Sequence, residues 1–191
     1  MCAMKVAVQF ATVAAMAVIV IVGPSKADDR TPVKLPLEIK SSFMAEMRTH
    51  MGNLDDILAA LAEGDFEEAA NIADLKMDFG HRMWESMLDG DMTAEQVLAM
   101  KKAMQSKGMA MGQGGDMGHR MGQGMGKGMG RFMPDDFRAM GAVFHEAASA
   151  FAKRARAAAS PPSAVDYKET TEALQTVTSS CRGCHDAFRI E

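Results

Sequence analysis

A chain of 191 residues, 48% apolar and 24% charged, has the ordinary balance of a globular protein, which excludes wholesale disorder. Its formal net charge of −4 argues against a nucleic-acid partner, because neutralising phosphates needs a basic face. Two features depart from average composition: 20 methionines, and three cysteines of which two are Cys181 and Cys184.

Residues 1–27 read as a secretory signal peptide. Lys5 supplies the positive n-region, 17 uncharged residues run from Val6 to Val22, and Ser25-Lys26-Ala27 offers a small-residue cleavage site. The run is at the bottom of the length that spans a bilayer, so cleavage is expected rather than a retained anchor. Cleavage removes Cys2, Lys5 and Lys26 and leaves residues 28–191, soluble, with a formal charge of −6 and two thiols.

The mature chain is patterned for helices. Met44, Met47, Met51, Leu54, Leu58 and Leu61 are spaced alternately by three and four, which predicts one apolar helix face over residues 40–63, ended by Gly64-Asp65. A second helix is expected from near Phe66, with Ala69, Ile72, Phe79, Met83 and Met87 keeping the period as far as Asp89-Gly90. Thr93 and Gln96 form a capping-box pattern ahead of Ala94–Lys107, a short extra helix or a continuation. Residues 108–130 are rich in Gly and Met, as in Met121-Gly122-Gln123-Gly124-Met125-Gly126, and read as a flexible loop.

Pro134-Asp135-Asp136 opens a third core helix carrying Phe137, Met140, Phe144, Ala147 and Phe151. Ser160-Pro161-Pro162-Ser163 separates it from a last helix that starts near Asp166, with Tyr167, Thr170, Leu174, Val177, Cys181, Cys184 and Phe188 on its seam. No strand-like alternation is evident after residue 27. The expectation is an all-α protein: an antiparallel four-helix bundle with a Gly/Met-rich insertion between the second and third core helices.

The chemistry is concentrated in Cys181-Arg182-Gly183-Cys184-His185. Cys-x-x-Cys-His is the attachment signature of c-type haem, two thiols for the vinyl groups and a histidine for the iron. A redox pair of the thioredoxin kind belongs at a helix start after a strand, and zinc needs two further ligands, whereas the remaining histidines are scattered at 50, 81, 119 and 145. Export, the absence of other thiols in the mature chain and the helical pattern favour one covalent haem c. Only six residues follow His185, none of them Met or His, so a protein sixth ligand must come from upstream.

Haem attached on the last helix of an exported bundle resembles the class II cytochromes c, the cytochrome c-prime type and its low-spin relatives. The resemblance rests on Phe43-Met44-Ala45-Glu46-Met47-Arg48-Thr49-His50-Met51 with Leu54 and Ile57, and on Cys181 to Arg189. It covers most of residues 38–90 and 131–191; the inserted stretch from about Glu85 to Gly130 departs from the family pattern. The resemblance implies a periplasmic one-electron carrier without substrate turnover, serving redox partner proteins and able to form a homodimer. In low-spin members a methionine of the first helix fills the sixth position; in high-spin members that position is open and binds small gases. Met47 is expected to be the ligand from its distance to the Gly64 break, with Met44 and Met51 as alternatives, all three on the inward face. Arg189 is either a haem propionate contact or a solvated charge. Phe188 and Trp84 are expected to pack, and His145 to lie on the surface or the rim. A soft-metal role for Met117, Met121, Met125, Met129 and His119, and a haem-free interaction module, are weaker alternatives; no spacing supports an enzyme.

Overall fold

In the computed structural model the described residues are 28–109 and 129–191, so the expected signal peptide and most of the Gly/Met-rich stretch, including His119, Met117, Met121 and Met125, lie outside them. The protein is mostly helical. The elements are β1 (Thr31–Val33), α1 (Leu37–Glu63), α2 (Phe66–Lys76), α3 (His81–Asp89), α4 (Ala94–Ser106), a 3-10 turn at Met129–Phe132, α5 (Asp135–Arg156), α6 (Ala164–Ala187) and β2 (Phe188–Ile190). None of these helices is long and apolar enough to cross a membrane.

Local signals set the helix ends. Gly64, at φ 80, closes α1 in the left-handed conformation, and its N–H reaches the carbonyls of Ala60 and Leu61. Asp65 then caps α2 by accepting the Glu68 N–H at 2.9 Å. Full capping boxes start α4 (Thr93 with Gln96) and α6 (Ser163 with Asp166). Asp166 is also held by Arg154 at 2.8 Å, which fastens the start of α6 to the last turn of α5.

One core cluster draws on four helices: Ile57 and Leu61 from α1, Ala69 to Ala73 from α2, Ala148 and Phe151 from α5, and Leu174 and Val177 from α6. Trp84 of α3 is buried with Leu75 and Val97, and its indole N–H donates to the Phe79 carbonyl at 3.3 Å.

Three sequence expectations need correction. The second helix is two: its period through Phe79 is broken by Met77–Gly80, where Gly80 takes φ 79 and Asp78 accepts the Phe79 N–H at 2.6 Å. The seam of α1 is displaced by about one residue. Phe43, His50 and Ile57 face inward, while Met44, Met51 and Leu58 are 39%, 66% and 56% exposed. Both sets have helical spacing, and the polar His50 and Asn53 on the true seam hid it from an apolar pattern. Third, two short strands exist. β1 and β2 pair in parallel, Thr31 with Phe188, Pro32 with Arg189 and Val33 with Ile190. Three residues are too few for alternation to be read.

The strand pair carries the site. β1 precedes α1 and β2 follows α6, so the start of the first helix and the finish of the last are joined at one end of the molecule. A second apolar cluster fills that end: Val33, Leu35 and Phe137, with Ile39, Phe43, Phe132, Met133, Cys184, Phe188 and Ile190 packed on them.

Candidate haem-attachment site

On α6 the buried residues Thr170, Leu174 and Val177 form one stripe. At about 100° per residue that stripe continues through Cys181, Cys184 and His185. Burial does not continue with it: Leu174 and Val177 are buried, both cysteines are half-buried, and His185 is exposed. The helix thus presents a core-type face near its C-terminus that the rest of the protein covers only in part.

Both cysteines are free thiols. Burial pushes both thiols up from their ordinary range, so they are held as S–H rather than thiolate. Cys184 touches the apolar end cluster, whose aromatic part is a contiguous set: the Phe137 ring meets Phe43 at 5.7 Å and Phe188 edge-on at 5.2 Å between centroids. Phe188 therefore packs, as expected. The backbone of the motif is fastened from the other end of the sequence, since the Arg30 guanidinium donates to the His185 carbonyl at 3.3 Å. Arg189 donates to the Asp28 carbonyl at 2.9 Å and pairs with Glu191 at 2.9 Å.

Of the three methionines on α1, Met47 is half-buried beside the seam, whereas Met44 and Met51 are exposed. The expectation that all three face the core is corrected: with Phe43, His50 and Ile57 on the seam, Met44 and Met51 are turned about 100° away from it. His145 is corrected too. It is half-buried, its Nδ1 is 2.7 Å from the Met77 carbonyl, and its ring lies among Phe79, His81 and Phe144. Three of the histidines that look scattered in sequence in fact converge: His50 meets His81 at 5.1 Å and His81 meets His145 at 5.6 Å between centroids. Only the four-residue spacing of Glu46 and His50 hinted at this, because His81 and His145 come from distant segments.

The residues suit a covalently held haem. Two thiols one helical turn apart share a face with a histidine, and that face adjoins an apolar, aromatic wall. An open cleft of about 770 Å³ between α2, α4 and α5 is a different environment, lined by Asp74, Lys101, Glu146, Lys153 and Arg156, and its charges do not suit a porphyrin face. Comparison with family models, with curated proteins and with solved structures finds no match for this chain.

Proposed function

We propose that this protein is an exported c-type cytochrome of the class II kind, an antiparallel four-helix bundle that carries one electron and turns over no substrate. Cys181 and Cys184 would hold a single haem c as thioethers and His185 would bind its iron. The observation that carries this reading is the stripe of α6: a Cys-x-x-Cys-His motif continues the buried seam yet is only partly covered, next to an apolar wall. The parallel pairing of β1 with β2 supports the bundle, because it brings the beginning of α1 to the end of α6.

When bound, the haem supplies a one-electron ferric–ferrous couple. The chain's own residues do the rest. Phe43, Phe137 and Phe188 keep water from one side of the attachment face, and a lower local polarity favours the less charged, reduced state. Arg30 holds the backbone of His185. Met47 would supply the second protein ligand to the iron, since it is the half-buried member of the α1 methionines. Arg189 can turn from Glu191 and Asp28 toward a propionate. A gas-binding variant of the same reading, with the sixth position open, is favoured by one observation: the seam position nearest the aromatic wall on α1 is Phe43, an apolar side chain.

The test is expression with haem-attachment machinery, followed by mass spectrometry and absorption spectra. One added haem that survives acid-acetone extraction is expected, lost in Cys181→Ala with Cys184→Ala; an unmodified mass sinks the proposal. Met47→Ala should convert a low-spin ferric spectrum to high-spin, with Met44→Ala and Met51→Ala unchanged. A high-spin parent spectrum favours the gas-binding variant.

A further inference from the structure

One to two helical turns along α1 from Phe43, roughly 5–10 Å, is a second group of side chains that the haem reading does not use. Glu46 and His50 stand one turn apart on α1, and His81 is the first residue of α3, delivered by the left-handed Gly80. The three offer one ligand atom each, all within 4.8 Å of one another. The Glu46 Oε1 is 3.0 Å from the His81 Nε2 and 4.0 Å from the His50 Nε2. Ligands around a tetrahedral zinc at about 2.0–2.1 Å are separated by roughly 3.3 Å, so the group needs only small shifts to close on an ion.

From this geometry we infer that Glu46, His50 and His81 form a binding site for a borderline divalent cation such as Zn2+, separate from the haem-attachment site and independent of the haem reading.

The hydrogen-bonding pattern argues for a cation. Each ring nitrogen of His81 faces an oxygen: Nδ1 is 3.2 Å from the Asp78 carbonyl and Nε2 is 3.0 Å from Glu46. A neutral imidazole can donate to only one of them. The ring satisfies both as imidazolium, or as the neutral Nδ1–H form with a metal between Nε2 and the carboxylate. An Nδ1–H bond to a backbone carbonyl is the arrangement that fixes a metal-binding histidine with Nε2 outward. His50 is 6% exposed, and its Nε2 lies 4.0 Å from the Glu46 Oε1, beyond hydrogen-bond distance.

Electrostatics prepares the ligands at neutral pH. Burial, together with the neighbouring His81, pushes the His50 imidazole down to about 4, so its ring is neutral. Burial opposes ionisation of Glu46, but hydrogen bonds from His81 and Arg82 outweigh it and hold the carboxyl at about 2. Arg82 takes the other oxygen, Oε2, and leaves Oε1 for the ion. The rings of Phe144 and His145 wall the group, at 5.0 Å from His50 and 5.6 Å from His81. Two imidazole nitrogens and one carboxylate oxygen suit zinc and its neighbours rather than Mg2+ or Ca2+, which prefer oxygen alone.

The experiment is titration of the purified full protein with Zn2+ against a chromophoric chelator. One equivalent is expected, with affinity reduced at least tenfold by His50→Gln and by His81→Gln, and unchanged on deletion of residues 110–128. Saturation that follows the deletion and ignores both histidine variants overturns the proposal, as does a parent that takes up no zinc at micromolar concentration. Zinc-edge X-ray absorption of the parent needs no variant: an all nitrogen/oxygen shell with two imidazoles is expected, and a sulfur shell overturns the assignment.

Discussion

The ammonium of Lys101 is held by three oxygens, the Asp74 carbonyl at 2.7 Å, its carboxylate at 2.5 Å and the Asp78 carboxylate at 2.8 Å, and is 5% exposed. It ties α4 to the end of α2 and to the Met77–Gly80 break. Removing one member of a buried charge group leaves the others uncompensated. Lys101→Met should cost roughly 3 kcal/mol in urea unfolding, near the low end for such groups because Arg156 still neutralises Asp74 at 2.7 Å. Burial works against the Asp74 charge, yet Lys101 and Arg156 outweigh it and hold the carboxyl below its usual range. The folded state therefore binds fewer protons than the unfolded one, so this stabilisation is full above about pH 4 and is lost as pH falls further. Stability plotted against pH should fall in that acid window, and less steeply in Lys101→Met.

At the scale of elements, capping carries measurable weight. Ser163→Ala removes the hydroxyl that accepts the Asp166 N–H and should cost about 1 kcal/mol in thermal unfolding. Gly64→Ala should cost more than about 1 kcal/mol, since φ is 80 and an added Cβ would come within 3.2 Å of the Tyr167 hydroxyl. Such caps were readable in advance: Gly64, Thr93 with Gln96, and Pro134 with its two acids each announced a helix end, and α4 and α5 lie where those residues put them. The face of α1 was not readable. Met44, Met51 and Leu58 and the set Phe43, His50 and Ile57 are both helical stripes, and only tertiary packing chose the second. The same choice that turned two methionines outward turned His50 inward, so the convergence of Glu46, His50 and His81 was hidden for the same reason. The motif on α6 was fully legible, because a local spacing carries it.

For the whole molecule, the strand pair between residues 31–33 and 188–190 is a long-range contact that no stretch of sequence announces. Val33 is 1% exposed and belongs to the cluster that Cys184 touches. Val33→Asp places a charge in that cluster and should open it. In protein made without haem-attachment machinery, alkylation of Cys184 should speed up severalfold while α2 and the second half of α5 keep their hydrogen-exchange protection. This follows because the end cluster and the four-helix core are distinct sets of residues. The pairing also imposes an order of assembly. A contact across more than 150 residues closes a large loop and forms late compared with local helices. Segment 31–33 is synthesised early, but it must wait for 188–190 before it can dock. Until the two segments dock, Cys184, four residues before β2, lacks the cover of the end cluster. Docking of the two segments then covers one side of the cysteine face, so under the proposed haem attachment the oldest and newest parts of the chain would act together as a latch that shuts once the thioethers have formed.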